Sequence, residues 1–125
     1  MLIVLDTNSL IRFFTNDIPD KAKKVKDLLE KEKNVSIPEV VFPELEYVLL
    51  EQYKISRKQI IEIFRFLSSQ KNIRLSLLVK KAINIYEDSK LDFADCLIAS
   101  YSLKGKLASF DKELLELGKV KPFWK

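Results

Sequence analysis

The chain has 125 residues, 47% hydrophobic and 32% charged, with 22 Lys and Arg against 18 Asp and Glu for a formal net charge of +4. That size and balance fit one soluble domain spanning residues 1–125, and no apolar run approaches the roughly 20 residues of a membrane span. Histidine is absent and Cys96 is alone, which excludes a histidine general base, a histidine triad, His- or Cys-built zinc sites and an intrachain disulfide.

A lone cysteine fits a reducing cytoplasm. The N-terminus enters a strand-like run with no basic segment before it, so no secretory signal is expected. A pI near 9.1 leans towards a polyanionic partner.

Leu2–Leu5 is apolar without alternation and reads as a central strand. A short helix is expected over Ser9–Phe14. Pro19–Lys31 is helical, with Ala22, Val25, Leu28 and Leu29 as its inward stripe. Val35–Ile37 is a second strand. Ser36 and Glu39 have capping-box spacing, so a helix is expected from Pro38 to about Tyr53; Pro43 within it points to a kink or a later start. Ser56 and Gln59 repeat that spacing and open a helix to Ser69, with Ile60, Ile63, Phe64 and Leu67 inward.

Ile73–Leu75 is a third strand. Leu78–Asp88 is a helix with Val79, Ala82, Ile83 and Tyr86 inward. Phe93–Lys104 is apolar on nearly every side and is expected to be deeply buried. Leu107–Ser109 is a fourth strand, Lys112–Leu117 a short helix, and Val120 lies on a fifth, edge strand. Short strands alternating with helices predict an α/β fold: a central parallel sheet of four or five strands covered on both faces. Ligands of such sheets bind beyond the carboxyl ends of the strands.

Four carboxylates stand in apolar settings. Asp6 ends the first strand, Glu44 interrupts a helical stripe between Val40, Val41 and Val48, Asp95 belongs to the apolar helix, and Asp111 follows Leu107–Phe110. Each has a local explanation: Asp6 and Asp111 as helix caps, Glu44 as a helix-edge residue, Asp95 as a first-turn acid favoured by the helix dipole. Together they predict buried carboxylates, and buried carboxylates are costly unless paired, hydrogen-bonded or bound to metal. Oxygen donors without histidine suit a hard cation, Mg²⁺ or Mn²⁺, and the reaction class that follows is phosphodiester hydrolysis. Asp92 reads as the cap of the Phe93 helix. Ser109 lies close enough to Asp111 to hydrogen-bond a carboxylate or a bound water. Arg12 and Lys112 are candidate contacts to a nucleic-acid backbone by sequence proximity alone.

The segments Leu5-Asp6-Thr7-Asn8, Pro43-Glu44-Leu45-Glu46, Leu91-Asp92-Phe93-Ala94-Asp95-Cys96-Leu97-Ile98-Ala99 and Ser109-Phe110-Asp111 resemble, in order, those of PIN-domain nucleases, and within them the VapC-like toxins of toxin–antitoxin pairs. The resemblance implies a PIN fold and a Mg²⁺- or Mn²⁺-dependent endoribonuclease with metal carboxylates at Asp6, Glu44, Asp95 and Asp111. It implies supporting roles for Asp92, Thr7 and Asn8, an RNA substrate, a small antitoxin partner and a homodimer.

A catalytically silent PIN-like module that binds RNA or protein is the alternative. A haloacid-dehalogenase-type phosphatase needs a second aspartate two residues after the first, where this chain has Asn8.

Overall fold

A computed structural model describes residues 1–124. The elements in order are β1 (Ile3–Val4), α1 (Thr7–Thr15), α2 (Pro19–Lys31), β2 (Val35–Ser36), α3 (Val41–Glu51), α4 (Arg57–Ser69), β3 (Ile73–Arg74), α5 (Leu77–Asp88), α6 (Phe93–Ser102) and α7 (Lys112–Leu115). They fall into two compact units, Met1–Leu75 and Ser76–Lys125.

The first unit holds a three-stranded parallel sheet in the order β1-β2-β3, with Ile3 opposite Val35 and Val35 opposite Ile73. The α/β class and the parallel sheet therefore match expectation. The first strand does not: β1 is an edge of this sheet and β2 its centre. Val4 is 58% exposed as a result. An apolar run looks the same whether it is covered on one side or both, so the sequence could not rank the strands.

α1 packs against α2 and α3, and α4 packs against α3 and β3. The inward stripes form as the helical period dictates, with Ala22, Val25, Ile60, Phe64 and Leu67 buried. Phe42 and Phe64 meet edge to face with centroids 5.2 Å apart, a favoured aromatic geometry.

The box at Ser56 and Gln59 forms in both directions and opens α4. The one expected at Ser36 and Glu39 does not open α3, which starts at Val41. Val41 N–H and Phe42 N–H bond the carbonyls of Pro38 and Glu39 in a separate turn, and α3 begins after it without a side-chain cap. Pro43 is thus the third helical residue, where the first-turn nitrogen has no carbonyl to lose, so no kink is needed.

In the second unit α5 packs on α6. Val79, Ala82, Ile83, Tyr86, Phe93, Cys96 and Ala99 are buried between them. Tyr86 and Phe93 meet edge to face at 5.6 Å. The helix expected to be buried all round has an open face instead, because Ala94, Ile98 and Tyr101 recur at helical spacing on its solvent side.

Among the described residues the expected fourth and fifth strands reduce to one parallel bridge between Leu107 and Pro122. Leu107 N–H bonds the Lys121 carbonyl at 2.7 Å, and Phe123 N–H bonds the Leu107 carbonyl at 2.8 Å. Val120 is buried but lies outside any strand. No helix among the described residues is long and apolar enough to cross a membrane.

Candidate active site

Asp6 follows β1 and caps α1. Its backbone is extended, and Oδ1 accepts the Ser9 N–H at 2.9 Å. That hydrogen bond holds the carboxyl below the ordinary carboxylate value, because it favours the charged form. The cap and the candidate ligand are therefore one residue. Thr7, the first helical residue, donates its hydroxyl to Glu44 Oε1 at 2.8 Å. This bond joins the start of α1 to α3 and sets Glu44 beside the Asp6-Thr7 segment. Glu44 is thus tied to the residue next to Asp6.

Their burial is not as expected. Asp6, Glu44 and Asp111 are exposed, and Asp95 is half-buried. On α3 the covered face carries Val41, Phe42, Leu45 and Leu49, together with Glu46 at 6% exposure. Val40 and Tyr47 are exposed, so Glu44 projects from an open apolar margin. The wheel located Glu44 among valines correctly; which valines were covered was a tertiary matter. Glu46 is the buried acid of this helix. Its only sequence signal is its place on the Phe42-Leu45-Leu49 side.

A hollow of about 230 Å³ lies against the Asp6 end of α1, lined by Asp6, Asn8, Ser9, Arg12, Lys21, Lys24 and Val25. Asn8 is exposed there. Lys21 and Lys24 went unremarked in the sequence, although their spacing of three on α2 puts them on one face.

Arg12, which also lines this hollow, is ion-paired. Its Nη1 is 2.6 Å from Asp17 Oδ2 and 3.4 Å from the Tyr53 hydroxyl, which itself donates to Asp17 at 2.7 Å. Arg12 therefore braces the end of α1 against the segment after α3. Asp17 is held below the ordinary value of 3.8, first by the Tyr53 hydroxyl, with the Arg12 charge adding to it.

In the second unit Asp92 caps α6 by accepting the Asp95 N–H at 2.9 Å, as its reading as a cap predicted. Asp95 lies one turn in. Asp111 caps α7, its Oδ1 accepting from Glu113 N–H at 3.0 Å and Leu114 N–H at 3.3 Å. Ser109 Oγ accepts the Asp111 N–H at 3.0 Å. Its hydroxyl thus fixes the turn into Asp111 and keeps its own proton to donate. Lys112 is exposed.

The donor chemistry of the expected set suits a hard dication: every side chain offers oxygen, with hydroxyls adjacent to two of the acids. Among the described residues no three His, Cys, Asp or Glu side chains are grouped closely enough to hold an ion.

The family model of the PIN domain matches residues 3–120. The chain belongs to the PIN domain family. PIN domains are generally nucleases and usually use divalent metals. No curated protein and no solved structure matches the chain.

Proposed function

We propose that this PIN domain is a Mg²⁺- or Mn²⁺-dependent endoribonuclease that hydrolyses RNA phosphodiester bonds, acting as the toxin of a VapBC-type pair. The observation that carries the reading is the Thr7 bridge from the Asp6 segment to Glu44, within a chain matched by the PIN model from residue 3 to 120.

Asp6, Glu44, Asp95 and Asp111 would hold the cation. When bound, it supplies positive charge that acidifies a water and stabilises a phosphoryl oxygen. The protein's own part is electrostatic and positional. The Ser9 N–H favours the ionised form of Asp6, Thr7 orients one oxygen of Glu44, and Lys21 and Lys24 draw phosphate towards the hollow. A carboxylate of the set takes the proton of a water that attacks phosphorus in line, as the ribose oxygen leaves.

A cytoplasmic setting, a small antitoxin protein, a homodimer, and a three-layer arrangement of one domain with four or five strands complete the proposal.

Mn²⁺-dependent cleavage of single-stranded RNA tests it. Activity should vanish in EDTA and in Asp6→Asn. Full cleavage under either condition removes the mechanism.

One observation favours a silent RNA- or protein-binding module, namely that no three acids are grouped among the described residues. Calorimetry with Mn²⁺ separates the two readings: no binding at millimolar metal selects the silent module.

A further inference from the structure

The end of the second unit exposes three large aromatic side chains. Phe110 is 88% exposed, Phe123 58% and Trp124 51%. Leaving so much aromatic surface in water forgoes the burial that usually stabilises such residues. The three are nevertheless ordered against one another. Phe110 and Trp124 stack with centroids 4.8 Å apart and planes 6° from parallel, and Phe123 meets Trp124 edge on at 5.6 Å.

The backbone explains the order. The two hydrogen bonds of the Leu107–Pro122 bridge fix the Lys121–Phe123 segment beside Leu107. From that bridge the two segments run on to Phe110 and Trp124, whose rings stack on each other.

The surroundings select an occupant. Residues 104–125 carry six lysines against three acids, most of the chain's net charge of +4. Lys106, Lys112, Lys119 and Lys121 are all exposed. Flat, open aromatic faces amid lysines are the chemistry that takes single-stranded nucleic acid: every base has a face to stack, and every phosphate a charge to neutralise. Phe110 also directly precedes Asp111, a carboxylate of the proposed site.

We propose that Phe110 and Trp124, buttressed by Phe123, form a platform on which unpaired bases of RNA stack next to the phosphodiester to be cut. The platform rests on the nuclease reading for its purpose, not for its existence. It makes Phe110 and Trp124 positioning residues and favours single-stranded substrate over duplex, whose bases are already stacked on each other.

Trp124 is the only tryptophan in the chain, so its fluorescence reports the platform directly. The wild-type protein is titrated in EDTA with a single-stranded oligoribonucleotide of about 12 nucleotides, within the usual reach of such sites. A duplex and an abasic oligomer of equal charge serve as controls.

The base-bearing single strand should quench Trp124, and the abasic strand should not. Phe110→Ala should weaken binding roughly ten-fold, the lower part of the range for one stacked base, while Phe110→Tyr restores it. Equal quenching by the abasic strand, or none by either, overturns the platform. So does an emission change that follows protein concentration without RNA, which would make the patch a contact between copies. Cleavage of the same oligomer in Mn²⁺ is read separately. Cleavage without quenching removes the platform and leaves the nuclease; quenching without cleavage does the reverse.

Discussion

Asp6 and Asp111 occupy equivalent local positions in the two units, yet their settings differ. Each ends an extended segment and caps the helix that follows. Asp6 is anchored by a sheet of three paired strands and a nine-residue helix, and Thr7 beside it reaches across to Glu44. Asp111 follows a single bridge, caps four helical residues and has an almost fully exposed phenylalanine before it. A carboxylate that must hold a cation needs a scaffold that does not yield, whereas a surface that receives flexible RNA needs open contacts. Under the proposed function the first unit would supply the former and the second the latter.

The largest expected effect separates the two aspartates by activity. Asn caps a helix about as well as Asp, so both Asp→Asn variants should keep their melting temperatures. Asp6→Asn should lower kcat/KM for RNA by about a hundred-fold or more, the scale of losing several kcal/mol of charge stabilisation. Asp111→Asn should lose less. Equal or reversed losses would break the division of labour.

The two cores offer the next comparison. Phe64 and Phe93 are both fully buried, and replacing either by Ala should cost about 3–5 kcal/mol in urea denaturation. A cost near zero for Phe93→Ala would mean that α5 and α6 are packed more loosely than their geometry indicates.

A smaller effect contrasts two caps. Ser56 belongs to a reciprocal box, while Ser76 only accepts the Val79 N–H. Ser56→Ala should destabilise by about 1 kcal/mol, and Ser76→Ala by less, as read from chemical denaturation.

The smallest concerns Asp17. Its carboxyl should titrate below 3.8 by NMR, and Tyr53→Phe should raise that midpoint. Because the folded value is the lower one, the stabilisation is present above the unfolded value and is lost as pH falls through the folded one. Asp6 keeps its own hydrogen bond to Ser9 and should not move with it.

Much of the local structure was legible because its signals are local. Asp92, the Ser56 box and the stripes of α2, α4 and α5 rest on residues within a turn or two of one another, and the structure repeats them. The ordered motifs pointed to the PIN family, which the family match bears out. Burial of the four carboxylates was not legible. Glu44 proved exposed and Glu46 buried, although both lie on the same helix. The Tyr53 hydroxyl that joins the Arg12–Asp17 pair comes from 41 residues beyond Arg12 and was equally illegible.

The sequence by itself determined the α/β alternation, the positions of most caps and the residue types on offer at the site. Those follow from helical period, backbone capping and side-chain chemistry, which act over a few residues. Only the tertiary structure decided that β1 is an edge, which acid of α3 meets water, that Tyr53 joins the Arg12–Asp17 pair, and that Phe110 finds Trp124. Each of those depends on which distant segment covers a face or completes a hydrogen bond, and no local pattern carries that information.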